Sequence, residues 1–159
     1  MARFRRTVPA PTLAARRNYQ AYRPYVRRDF EERCAYCLRH EDWAEAETFE
    51  LDHRRPQSLF PEDKYDFYNL CYACRRCNLR KLHYYPDTDL LAAGVGFVDY
   101  CADDFAAHFE IDANGLWLPQ TESAVFTLRI LRLNSDFLVR QRLFLRENGF
   151  AMDQPAPAR

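Results

Sequence analysis

The first regular alternation of apolar and polar positions falls at 48–53, Thr-Phe-Glu-Leu-Asp-His, and reads as a strand, because successive strand side chains take opposite faces. Pro56 limits it, since proline removes a ladder donor. A second short strand is expected over 69–73, then a short helix over 75–82 that Pro86 cannot continue. Between the strands, 58–67 holds Pro61 and turn-forming charges and reads as a loop. Upstream, Pro24 suits the first turn of a helix through Tyr25, Val26, Asp29 and Phe30. Downstream, 87–106 looks irregular, broken by Gly94 and Gly96. Residues 108–111 and 116–118 flank Asp112-Ala113-Asn114-Gly115, a hairpin turn in which Asn-Gly tolerates positive φ. Two helices close the chain, one over 122–133 and one from a cap at Asn134 or Ser135 to Gly149. Val125, Phe126, Leu128, Leu131, Leu138, Val139 and Leu143 supply their apolar faces.

The predicted class is α+β. A strand-loop-strand-helix core occupies 24–86, and a wrap of hairpin and helices occupies 87–149. Residues 1–23 form a basic N-terminal arm with Pro9, Pro11 and no clean period, and 150–159 a flexible tail. With 159 residues, 48% hydrophobic and 15% aromatic, the chain suits one domain with a real core and is too short for two.

Net charge is +0, so total charge gives no pull toward a polyanion, but its distribution is uneven. Residues 1–40 hold ten arginines against Asp29, Glu31 and Glu32, whereas 86–122 hold eight acids and no Lys or Arg. Lysine occurs only at 64 and 81, so the cations are nearly all guanidinium, which suits bidentate phosphate contact; a GC-rich genome produces the same bias. No apolar run approaches the ~20 residues of a membrane span. No apolar segment follows the cationic start as a secretory signal requires. The expectation is a soluble cytoplasmic protein.

Six cysteines, four of them in metal spacing, point to a reducing compartment rather than a disulfide scaffold. Cys34/Cys37 and Cys74/Cys77 form two Cys-x-x-Cys pairs that suit one structural Zn²⁺ in a closed tetrahedral site. Cys71/Cys74 has the same spacing. The Cys74/Cys77 pair is preferred, because Cys77 immediately precedes Asn78 and zinc would then pin the start of a helix. Cys71 is expected as a buried strand residue and Cys101 as a packed or free thiol. His40, His83 and His108 read as structural.

The stretch Cys34-Ala-Tyr-Cys37, Glu50-Leu-Asp-His-Arg-Arg-Pro-Gln-Ser58, Asn69-Leu70 and Cys74-Arg-Arg-Cys-Asn78 resembles the four-cysteine branch of the HNH endonuclease family. Several dispersed matches in order make the resemblance specific over 34–81. More loosely, 99–109 and Leu131-Arg-Leu-Asn134 are similar to the tail of small bacterial HNH proteins. The resemblance implies a zinc-stapled ββα-metal core that hydrolyses phosphodiester bonds in DNA, nicking one strand per active site and leaving 5′-phosphate and 3′-hydroxyl ends. It implies His53 as general base, Asn69 holding His53 by a hydrogen bond, and Asp52 and Asn78 as ligands of a catalytic Mg²⁺ or Mn²⁺. Glu50 would touch the metal or its waters, or serve as a more distant carboxylate. Asn78 stands where the family often has His. Adjacent residues of a regular strand face opposite sides, so Asp52 and His53 share a cleft only if the backbone bends there.

Arg54, Arg55, Arg75, Arg76, Arg80 and Lys81 cluster around the motif and are expected to contact DNA phosphates, against the alternative of a solvated basic face. The acidic 86–122 stretch is a candidate surface for a protein partner, or a cover over the basic face. Two other functions stand beside the nuclease: a catalytically inactive zinc-dependent DNA-binding or adaptor module, and an effector held inactive in a larger complex. Asp52, His53, Asn69 and Asn78 together argue against the first, since a binder needs none of them. Small HNH proteins serve restriction, antiphage defence, phage packaging and mobile elements, and no residue here chooses among these.

Overall fold

The computed structural model describes residues 4–7, 18–44, 48–99 and 101–151; most of the arm and all but two residues of the tail lie outside these ranges. Asn18 caps a 3₁₀ turn, Tyr19–Tyr22, that runs into helix α1, Arg23–Asp29, with Pro24 in its first turn as expected. Chain order is then strand β1 (Phe49–His53), strand β2 (Leu70–Cys74) and helix α2 (Arg75–Lys81). β1 and β2 pair antiparallel, with Glu50 opposite Ala73 and Asp52 opposite Cys71. Every residue of β2 is buried, because the sheet lies between α2 and the segment that carries Cys34 and Cys37. The Ala35 N–H donates to Tyr72 O at 2.7 Å and docks that segment on the strand. The loop between the strands is two further 3₁₀ turns, Pro61–Tyr65 and Phe67–Asn69.

The stretch expected to be irregular contains one short helix, α3 (Thr88–Ala92), and the start of another, α4 (Phe105–His108), which takes up His108 from the expected strand. Each is started by an aspartate cap, Asp87 accepting from Leu90 N and Asp104 from Ala106 N. Gly94, at φ 72°, follows α3. Strands β3 (Phe109–Ile111) and β4 (Trp117–Pro119) form the expected hairpin. Asp112 Oδ1 accepts from the N–H groups of both Asn114 and Leu116, which closes the turn around Gly115 at φ 75°.

Helix α5, Glu122–Leu131, ends two residues before the expected boundary, because Arg132 turns left-handed at φ 47°. Helix α6, Asp136–Glu147, starts from Ser135. Asn134 pairs instead with the β4 backbone, accepting from Trp117 N at 2.9 Å and donating to Trp117 O at 2.8 Å. Leu131, Leu138 and Phe126 are buried as expected, but Val125 is 44% exposed: α5 turns Ala124, Thr127 and Leu131 inward. The two halves share one core, in which Val26, Phe30, Leu70, Leu131, Leu138 and Leu145 are all buried. Arg80 joins them directly, donating to the carbonyls of Leu131 and Arg132 at 3.0 Å each.

Candidate active site

Both cysteine pairs converge. The Sγ atoms of Cys34, Cys37, Cys74 and Cys77 all lie within 4.8 Å of one another, and all four residues are buried. Cys37 and Cys74 are 3.9 Å apart, close to the ~3.8 Å edge of a tetrahedron with Zn–S bonds of ~2.3 Å. The first pair sits on a tight turn in which Cys34 N–H donates to Arg39 O and Leu38 N–H to Cys34 O. Leu38 occupies a left-handed position, φ 62°, that glycine would fill with less strain. In the second pair Cys74 ends β2 and Cys77 lies in the first turn of α2. Burial pushes the Cys34 thiol well above its ordinary value, and a divalent cation among the four sulfurs reverses that by holding them as thiolates. The donor set fits zinc. Cys71, 2% exposed, lies outside the quartet, its thiol 3.3 Å from Tyr36 Oη.

Asp52, His53, Glu50 and Asn78 line one open cleft of about 580 Å³. Glu50 and Asp52 share the strand face that meets α2. Glu50 Oε2 accepts from Asn78 Nδ2 at 2.5 Å, and Glu50 Oε1 from Arg75 at 2.9 Å. The amide orientation leaves Asn78 Oδ1 as an oxygen donor for a cation. Asp52, 6% exposed, accepts from Tyr36 Oη at 2.5 Å and lies 3.2–3.3 Å from Lys81 Nζ. Burial raises the Asp52 carboxyl above its ordinary value, although Lys81 and Tyr36 both pull it back.

His53 is oriented by main chain. Its Nε2 lies 3.0 Å from Lys64 O, and a carbonyl only accepts, so Nε2 carries the proton and Nδ1 keeps the lone pair. Tyr19 stands edge-on to the imidazole with centroids 4.8 Å apart. Asn69 was expected to hold this ring, and the structure corrects that: its side chain is engaged elsewhere. Asn69 Oδ1 accepts from Arg55 N at 2.8 Å, while Nδ2 donates to Arg55 O at 3.0 Å and Asp63 O at 3.2 Å. Asn69 thus shapes the loop whose Lys64 carbonyl holds His53, and acts at one remove.

The basic cluster divides. Lys81, expected at a phosphate, is fully buried, with Nζ donating to His53 O at 2.7 Å as well as facing Asp52. Arg54 pairs with Asp99 of the acidic stretch, so at this point the acidic segment does cover a basic residue. Arg55 pairs with Asp63 at 2.5 Å and lies over the Phe60 ring, and Arg80 is spent on the end of α5. Arg76 lies 4.0 Å from the Phe137 ring centroid. Arg75, 55% exposed at its side chain, pairs with Glu50, which lines the cleft. Tyr36 and Tyr19 had no expected role; that Tyr36 sits inside the first cysteine pair was the one signal available.

A buried four-thiol centre joined to a two-stranded sheet and a helix, with an Asp-His pair ending the first strand, defines a ββα-metal unit. The family model HNH endonuclease matches residues 34–83, the segment that carries the four clustered cysteines and the paired strands. No curated protein matches the chain. Among the described residues no helix is long and apolar enough to cross a membrane.

Proposed function

We propose that the chain is a metal-dependent endonuclease that hydrolyses phosphodiester bonds in DNA, one active site nicking one strand. The observation that carries this reading is His53, whose Nε2–H is fixed on Lys64 O so that Nδ1 is the base, in the cleft that Asp52, Glu50 and Asn78 also line. His53 takes a proton from the attacking water through Nδ1, the ring nitrogen left free by the Nε2 hydrogen bond. Asp52 and Asn78 Oδ1 hold Mg²⁺ or Mn²⁺, with Glu50 steadying Asn78. Such an ion supplies charge stabilisation at the scissile phosphate and the leaving 3′ oxygen. Arg75, exposed beside Asn78 at the start of α2, contacts phosphate. The products carry 5′-phosphate and 3′-hydroxyl ends.

One observation favours the rival reading of an inactive zinc-dependent DNA-binding module: Lys81 and Tyr36 already occupy the Asp52 carboxylate. A supercoiled-plasmid assay separates the two. The nuclease converts plasmid to nicked circles that ligase reseals, with Mg²⁺ or Mn²⁺ present and not when a chelator sequesters them. Folded, zinc-loaded protein that leaves the plasmid supercoiled at every metal concentration would overturn the endonuclease reading of this chain on its own.

A further inference from the structure

The thiol quartet and the proposed cation site meet at Tyr36. This residue lies between Cys34 and Cys37, so its backbone belongs to the zinc turn, where its N–H lies 3.5 Å from Cys34 Sγ. Its hydroxyl lies at the end of the other site, donating to Asp52 Oδ2 at 2.5 Å and receiving the Cys71 thiol at 3.3 Å. Tyr36 is 5% exposed and Asp52 6%, so water does not compete for this bond. The turn itself is anchored to β2 by Ala35 N–H on Tyr72 O, one residue along the strand from Cys71, which stands opposite Asp52.

We infer that Tyr36 is a positioning residue: through its hydroxyl the zinc turn fixes the rotamer of Asp52 and thereby sets the affinity of the catalytic cation. The inference rests on the endonuclease reading above. A hydrogen bond to an ionised carboxylate is among the stronger ones a buried group makes. Partners of this kind behind a metal ligand change metal affinity or activity by about 10–100-fold when removed.

The test is Mn²⁺ binding, followed by electron paramagnetic resonance and calorimetry, on zinc-loaded wild type, Tyr36→Phe and Asp52→Ala. Tyr36→Phe should keep its zinc and bind Mn²⁺ about 10–100-fold more weakly. Its nicking should recover at raised Mg²⁺, a change in metal requirement rather than in maximal rate. Wild-type Mn²⁺ affinity in Tyr36→Phe, with affinity lost in Asp52→Ala, would overturn the role of Tyr36 and leave the nuclease reading standing. A wild type that binds no Mn²⁺ would remove both. Because Tyr36→Phe could fail to fold, ζ-¹³C-tyrosine labelling of the wild type gives a second measurement. The Tyr36 resonance should move as Mg²⁺ is added, and stay still in Asp52→Ala; a Tyr36 resonance unmoved by Mg²⁺ in the wild type would overturn the inference.

Discussion

Lys81 and Asp52 form an ion pair buried on both sides, with side chains 1% and 7% exposed. Taking two charges out of water costs several kcal/mol each, and only mutual attraction with full hydrogen bonding offsets it. Both conditions are met, since Lys81 Nζ also reaches His53 O and Asp52 also receives Tyr36 Oη. Removing the cation strands the carboxylate. Lys81→Met should therefore lower the unfolding free energy by about 3–5 kcal/mol at neutral pH, measured by urea titration. The sign of its pH dependence follows from Asp52, whose carboxyl burial already raises and which loses a lowering influence with Lys81. A carboxyl raised in the folded state favours folding below its ordinary value and loses that contribution as pH rises through the raised value. The deficit of Lys81→Met should shrink on acidification, and a loss under ~1 kcal/mol at neutral pH would show the pair to be better solvated than its burial implies.

Among the elements, α2 depends most on its neighbours. It has seven residues and no side-chain cap at its start, far short of the ~12–15 residues at which an isolated helix becomes marginal in water. What holds it is Cys77 in the thiol quartet, Arg80 on the end of α5, and Lys81 beneath β1. A structural zinc site is worth an apparent ~10–16 kcal/mol, against ~5–15 kcal/mol for the stability of a whole domain. Zinc should then be a condition of folding. Cys34→Ser or Cys77→Ser should give insoluble or molten protein, whereas Cys71→Ser and Cys101→Ser should remain folded with one zinc each. Elemental analysis with circular dichroism decides, and zinc lost from Cys71→Ser alone, or absent from the wild type, would contradict the four-thiol centre.

Over the whole molecule, what was legible from sequence is what local rules govern. Alternation over 48–53, proline at 24 and the Asn114-Gly115 turn placed β1, α1 and the hairpin, and cysteine spacing placed the quartet. Side-chain partners were not legible, because they depend on how distant segments register in space. Arg54 meets Asp99, Arg80 meets the end of α5, and Tyr36 meets Asp52, pairs separated by 16 to 52 positions. Lys81 shows the consequence: the five arginines clustered with it made it look like a phosphate contact, and only the packing of α2 on β1 turns it inward. The short helices α3 and α4 escaped because one turn or two leaves no period to read, although Asp87 and Asp104 mark their starts.

The central claim is that His53, held through Nε2, is the base of a nuclease built on this zinc-stapled unit. The measurement that tests it most directly is the single-turnover nicking rate of His53→Ala beside wild type, at saturating Mg²⁺, with zinc content checked in both. A rate lower by about 10²–10⁴-fold in a folded variant with its zinc is the predicted result. A folded His53→Ala that nicks at the wild-type rate would contradict it.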